Sequence, residues 1–349
     1  MRRTALITLA VCGAALAIAV VITLASPSTA PGTGRYRHAR LSAGADNYGY
    51  AVYDPSSRRP GVAVPLVVVI HGCTTTADQQ AAASSYDQLA EQRRFVVLYP
   101  DVDAADRAYD QCWKGIWEPG TEKRGHGDAG AIAAMTRAVV ARWHIDRTRI
   151  YAIGISAGAF ETAILGADYP DLYAAIGIHS GAAYLGGESG CLAEHESPTD
   201  TAVLARAAAD EMGPRARVMP VIVLHGDQDD RVPYRCGTQA LAQWLRTDSL
   251  VLHRQGRPAL VSAPTRASYA GARGGHPYTV LSYADQSGCV IGQFWTVHGM
   301  GHAWSGGSAD LASARFTDPR GPSAAAASWA FFSRWGLSGP LGPCASALP

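Results

Sequence analysis

The stretch Ile150-Tyr151-Ala152-Ile153-Gly154-Ile155-Ser156-Ala157-Gly158 is an apolar run that ends in small residues around one serine, and a helix-like run follows from Ala159 to Tyr169. The order is strand, Gly-x-Ser-x-Gly turn, helix, the context in which that pattern forms a nucleophile elbow. The turn is too sharp for bulky neighbours, so glycines flank it and the serine is expected in strained backbone geometry. A hydroxyl held there projects above a sheet at a helix N-terminus, where developing negative charge is favoured. In a chain with 37 glycines the pattern alone is also compatible with an ordinary tight turn; its context carries the reading.

Working outward, Leu66–Ile70 is a solid aliphatic run, the signature of a strand buried on both faces of a parallel sheet. Further strands are expected at Tyr48–Tyr53, Phe95–Tyr99, Ala174–His179, Val221–Leu224, Val280–Ser282 and Gly292–Val297. Helices are expected over Asp78–Arg93, from a cap at Asp128 to Trp143, over Gln239–Leu245 and over Ser323–Trp335. Strands that alternate with helices predict an α/β fold, a mostly parallel central sheet with helices on both faces. One domain is expected over residues 48–349, after a loose lead-in over 31–47. Asp101–Gly127, which carries Tyr109, Trp113 and Trp117, shows little periodicity, and Gly181–Pro220 is a variable-looking stretch expected to form a lid or wall over the site.

Residues 1–30 read as a targeting segment. Arg2 and Arg3 precede an uncharged apolar run from Ala5 to Ala25, and Ser28-Thr29-Ala30 fits a small-x-small cleavage site. Export is the expectation; the alternative is an uncleaved anchor over residues 5–25. Removing both arginines takes the formal charge from +1 to −1, which gives no electrostatic case for nucleic acid or an anionic surface. Beyond Cys12 the chain has six cysteines: Cys73, Cys112, Cys191, Cys236, Cys289 and Cys344. An even number in an exported chain points to three disulfides among fifteen possible connectivities, and no Cys-x-x-Cys supports a zinc ribbon.

A serine hydroxyl is a poor nucleophile near neutral pH and needs a histidine base oriented by a carboxylate. Two loops after strands supply candidates. His225-Gly226-Asp227-Gln228-Asp229-Asp230-Arg231-Val232-Pro233 offers three aspartates, of which Asp229 is preferred because it fits a Gly-x-x-Asp-x-x-Val-Pro frame. Asp227 and Asp230 remain as competitors or as turn formers. His298-Gly299-Met300-Gly301-His302-Ala303-Trp304 offers His302, whose flanking glycines leave room for a mobile imidazole. His298, His225 and His179 sit at strand ends and read as supporting residues. The Ala157 N–H and, from the loop His71-Gly72-Cys73-Thr74, the Cys73 N–H are the expected oxyanion donors, each contributing about 3 kcal/mol. This chemistry needs no metal and no organic cofactor.

Together these stretches resemble the polyhydroxybutyrate depolymerase-type esterases, relatives of feruloyl and acetylxylan esterases within the α/β-hydrolases. The resemblance rests on His71-Gly72-Cys73-Thr74, Cys112-Trp113, Gly154–Gly158, His179-Ser180-Gly181, His225–Asp229, Gly299-Met300-Gly301-His302-Ala303-Trp304-Ser305-Gly306-Gly307 and Asp318-Pro319-Arg320-Gly321-Pro322, in that order. It implies Ser156 as nucleophile, Asp229 as acid and His302 as base, and a Cys73–Cys112 bridge. Cys112-Trp113-Lys114-Gly115-Ile116-Trp117 departs from the family's usual aromatic after the Cys-Trp pair, and no separate polymer-binding domain is expected.

The resulting expectation is an exported serine esterase acting on polyester oligomer or polymer, or on acetyl or feruloyl esters of polysaccharide. Trp113, Trp117 and Trp304 are candidates for stacking on a substrate ring, although large aromatics more often pack. Two other readings use the same residues. One is a non-catalytic envelope binding protein on a hydrolase scaffold, whose mark would be a missing triad member. The other is a thioesterase or peptidase with the same triad.

Overall fold

In the computed structural model, the residues described are 33–43, 46–103, 111–193, 198–260, 262–271, 274–309 and 316–344. The targeting segment and Tyr109 lie outside them. Among the described residues, no helix is long and apolar enough to cross a membrane.

Among the described residues, ten strands form the main sheet: β1 (Arg35–Ala43), β2 (Asp46–Asp54), β3 (Val64–Ile70), β4 (Val96–Asp103), β5 (Ile145–Ile155), β6 (Ala175–His179), β7 (Val221–Gly226), β8 (Arg266–Ala270), β9 (Tyr278–Ala284) and β10 (Val290–Val297). Their order is β1-β2-β4-β3-β5-β6-β7-β10-β9-β8. The six strands from β4 to β10 run parallel, and antiparallel pairs flank them at both ends. Every residue of β3, β6 and β7 is buried, as continuous Val/Ile/Leu runs require when both faces are covered.

Among the described residues, seven α-helices cover the sheet: α1 (Ala77–Ser84), α2 (Tyr86–Arg93), α3 (Gly127–Arg142), α4 (Ala157–Asp168), α5 (Thr201–Met212), α6 (Tyr234–Arg254) and α7 (Ala324–Phe332). α3 to α6 contact one another in succession, and α1, α2 and α7 form a second group. Aromatic rings dock α7: Trp329 stacks on Phe95 at 4.3 Å and Phe332 on Tyr151 at 5.1 Å. The Tyr86 and Ser328 hydroxyls bond at 2.6 Å between α2 and α7.

Several elements differ from the expectation. The lead-in 31–47 contributes β1, an edge strand that buries Tyr36, Ala39 and Leu41 and exposes Arg35 and Arg40. The helix expected over Asp78–Arg93 is two helices, because Ser85 turns left-handed at φ 62°. Thr76 and Gln79 start the first with a reciprocal capping box. Asp128 is no cap: His126 occupies that position, and the Asp128 carboxylate accepts instead from the Tyr48 hydroxyl and the Lys114 N–H, both at 2.7 Å. Gly181–Pro220 contains α5, capped by Asp200. The three disulfides are Cys73–Cys112, Cys191–Cys236 and Cys289–Cys344.

Candidate active site

Ser156 sits between β5 and α4 at φ 55°, ψ −127°. A non-glycine residue in such a conformation costs on the order of 1–3 kcal/mol and persists only where its surroundings enforce it. Here the enforcement is visible. A side chain on Gly154 would overlap the Gly158 carbonyl, and one on Gly158 would overlap the carbonyls of Ile70 and His71. The Ser156 N–H donates to the His179 carbonyl at 3.1 Å, while the Ser156 carbonyl accepts from Ala159 at 2.8 Å and opens the helix at once.

β3 lies beside β5, with Ile70 opposite Gly154, so the loop after β3 passes the serine. A Cβ on Gly72 would stand 3.1 Å from Ser156 Cβ. Three contacts fix this loop: the Thr75 hydroxyl donates to the Gly72 carbonyl at 2.7 Å, Trp113 Nε1 donates to the His71 carbonyl at 2.9 Å, and Cys73 is bonded to Cys112. Ala157 is the first residue of α4, where N–H groups have no acceptor within the helix and the helix dipole favours negative charge. Cys73 and Ala157 therefore lie on the two segments that flank the serine.

β7 and β10 run side by side and end in register, Val297 opposite Gly226, which brings the acid and histidine loops together. His302 Nδ1 lies 2.8 Å from Asp229 Oδ2 and 3.0 Å from Oδ1. The Asp229 side chain is fully buried and that of His302 is 15% exposed, so the pair reaches solvent on the imidazole side only. Burial alone would raise the Asp229 carboxyl. The His302 hydrogen bond and charge, then His225 and the Val232 N–H, hold it below the ordinary aspartate value. A carboxylate only accepts, so His302 Nδ1 carries the proton and Nε2 offers its lone pair. Asp230 is exposed. Asp227 pairs elsewhere: its carboxylate accepts from His298 Nδ1 at 2.9 Å and from the Gly299 N–H at 2.7 Å.

His179 bridges the two halves of the site. Its carbonyl holds the Ser156 N–H, and its Nε2 accepts from the Ser305 N–H at 3.1 Å, three residues past His302. Burial, with smaller contributions from His225 and His302, lowers its value to about 3, so the ring is neutral. His225 is likewise pushed down by burial, and its Nε2 donates to the Val232 carbonyl at 2.8 Å.

Two of the three candidates for substrate stacking, Trp113 and Trp304, are packing residues in this structure. Trp113 is 0% and Trp304 1% exposed; Trp304 stacks on His179 at 5.1 Å. Their indoles fill the floor under the loops, whereas Trp117 is 68% exposed. The second acid–histidine pair, Asp227 and His298, was missed as a pair. Its signal was the doubling itself, Asp-x-Asp on one loop and His-x-x-x-His on the other.

Parallel strands in this order, an elbow serine on the β5–α4 turn and an acid–histidine pair on the β7 and β10 loops define an α/β-hydrolase. Residues 48–262 match the family described as Esterase PHB depolymerase, and the chain belongs to that family. It is 28% identical over 246 residues to poly(3-hydroxyalkanoate) depolymerase C of Paucimonas lemoignei, covering 68% of this chain and 54% of that one. It is also 28% identical over 193 residues to feruloyl esterase B of Neurospora crassa, covering 51% and 63%. The chain thus spans about half the length of the first of these relatives. Among solved structures, the acetyl xylan esterase from Aspergillus awamori shares the fold with a TM-score of 0.62 at 20% identity, over 85% of this chain and 98% of that one.

Proposed function

We propose that this protein is an exported serine carboxylic-ester hydrolase. Ser156 Oγ attacks the ester carbonyl while His302 Nε2 takes its proton, and the Asp229 carboxylate stabilises the imidazolium that results. The N–H groups of Ala157 and Cys73 receive the negative charge of the tetrahedral oxygen. His302 then returns the proton to the leaving alcohol, activates a water and releases the acid from the acyl-serine. The observation that carries this reading is the Asp229–His302 pair, oriented by Arg231 and Val232 N–H groups at 3.0 and 2.9 Å, on loops linked to the elbow through His179 in a chain of an esterase family.

The substrate we propose is an ester borne on a polymer, a hydroxyalkanoate polyester or oligomer, or a feruloyl or acetyl ester of polysaccharide. Support comes from the named activities of the relatives. Export is supported by the leader-like residues 1–30 and by three disulfides, which persist in oxidising compartments. The test is hydrolysis of a short-chain nitrophenyl ester, methyl ferulate, acetylated xylan and a hydroxybutyrate polymer emulsion by wild type and Ser156→Ala. Serine-dependent turnover is expected, and the best substrate selects between polyester and polysaccharide. Equal rates for both proteins on every ester would reject the esterase reading in favour of a binding protein or another scissile bond.

A further inference from the structure

Behind the elbow lies a cluster that ester hydrolysis does not use. Glu122, Asp128 and Glu161 are each at most 1% exposed. Glu161 belongs to α4, Asp128 to the first turn of α3, and Glu122 to the connection from the Trp113 loop. Among the described residues none of the three hydrogen-bonds to Ser156, Asp229 or His302. Glu161 Oε1 accepts from the Gly115 N–H at 2.7 Å, Glu122 Oε2 from the Ala129 N–H at 2.8 Å, and Asp128 from the Tyr48 hydroxyl and the Lys114 N–H among its partners. Glu122 Oε1 and Glu161 Oε2 are buried and have no hydrogen-bond partner.

A buried carboxylate oxygen without a donor or cation is costly. One oxygen from each of the three carboxylates lies within 4.8 Å of the others. Two oxygens bound to one calcium ion at 2.3–2.6 Å can stand no farther apart than about 5 Å. The cluster offers oxygen alone, which suits hard cations and disfavours soft ones. We propose that Glu122, Asp128 and Glu161 bind a hard divalent cation, calcium, that clamps the Trp113 loop and α3 to the nucleophile-bearing helix. The ion is structural and takes no step in catalysis.

Burial and mutual repulsion favour the protonated forms of Glu122 and Glu161. Burial first, then the charges of Asp128 and Asp168, push Glu122 up to about 8 against the opposing Ala129 N–H and Lys114. Burial, with Glu122, Asp128 and Asp168, raises Glu161 well above its ordinary value despite the Gly115 N–H. Raised carboxyls stabilise the fold most at low pH, and that contribution is lost as pH rises through about 8. Calcium must displace the protons, so its effect grows with pH.

The test uses the intact purified protein, by metal analysis after desalting, thermal melts with millimolar calcium or with EDTA at pH 6 and pH 8.5, and terbium luminescence excited through Tyr48. Bound calcium is expected, with a Tm about 5 °C higher in calcium than in EDTA at pH 8.5 and a smaller gap at pH 6. Glu122→Gln should remove both the gap and the terbium signal. Glu161→Gln should do the same, and Glu122→Gln keeps the test open if that variant does not fold. Wild-type melts that coincide in calcium and EDTA, with no bound metal and a Tm that rises as pH falls, would leave the cluster a proton store and overturn the proposal. Neither result depends on ester turnover.

Discussion

Asp227 Oδ2 lies 2.9 Å from His298 Nδ1, a second acid–imidazole pair on the same two loops as Asp229 and His302. Asp227 Oδ1 also accepts from the Gly299 N–H, and His298 Nε2 lies 2.8 Å from the Thr279 hydroxyl. These bonds tie the loop after β10 to the loop after β7, three residues before His302. The pair is a strut for the imidazole that would serve Ser156. Asp227→Asn should lower kcat about 10-fold with KM nearly unchanged, since small misplacements of a reacting group are expensive. Steady-state kinetics on a nitrophenyl ester checks this; a change in KM alone would place Asp227 in substrate binding.

Asp229 should behave differently. Asp229→Asn keeps the shape but can present an N–H to His302, stabilising the wrong tautomer, so kcat should fall roughly 10,000-fold. The depressed value of Asp229 has its own sign: its ionised form, and the hydrogen bond to His302, persist down through mildly acidic pH and are lost only below the usual aspartate range. A pH–rate profile should therefore show no limb from Asp229 near neutrality. Activity retained in Asp229→Asn would move the acid role to another carboxylate.

Trp113 and Trp117 separate packing from surface. Trp113→Ala should cost about 3–5 kcal/mol by opening a cavity, and it also removes the indole bond to the His71 carbonyl. Trp117→Ala, at an exposed position, should change stability by less than about 0.5 kcal/mol. Urea unfolding of both variants decides the matter. Equal stability losses would contradict the burial of Trp113.

His179 makes stability depend on acid. Its folded value is about 3 against 6.5 for a free imidazole. Between those values the unfolded chain binds a proton that the folded chain refuses. The contribution is complete above about 6.5 and is lost as pH falls, amounting to about 2 kcal/mol between pH 7 and pH 5. His179→Gln retains an acceptor for the Ser305 N–H and should narrow the difference between the urea midpoints at those pH values. An unchanged difference would assign the acid sensitivity to other groups.

The parallel strands were legible because burial on both faces writes itself as uninterrupted Val, Ile and Leu, as in Leu66–Ile70 and Val221–Leu224. The elbow was legible because its steric demand selects Gly154 and Gly158. Edge strands carry a weaker signal. β1 meets the core through Tyr36, Ala39 and Leu41, and β8 is mostly exposed. α5 buries alanines at 205, 208 and 209, which mark a helix face faintly. The break at Ser85 depends on a left-handed residue that is not glycine, so composition gave no warning. Trp113 and Trp304 lie in loops by sequence, yet the loops fold over them. Which aspartate faces His302 was decided by the ends of β7 and β10, a tertiary relation that the Gly-x-x-Asp frame only anticipates.

The three disulfides join each cysteine to the next along the chain, 73 to 112, 191 to 236 and 289 to 344, with no pair nested in or crossing another. For a polypeptide threaded N-terminus first into an oxidising compartment, each partner emerges before the next pair begins. An oxidase that joins thiols in order of appearance would therefore reach the native pairing directly, without the slow reshuffling that interleaved bridges demand. If the chain is exported and Cys12 leaves with residues 1–30, its pairing would call for an oxidant but no isomerase.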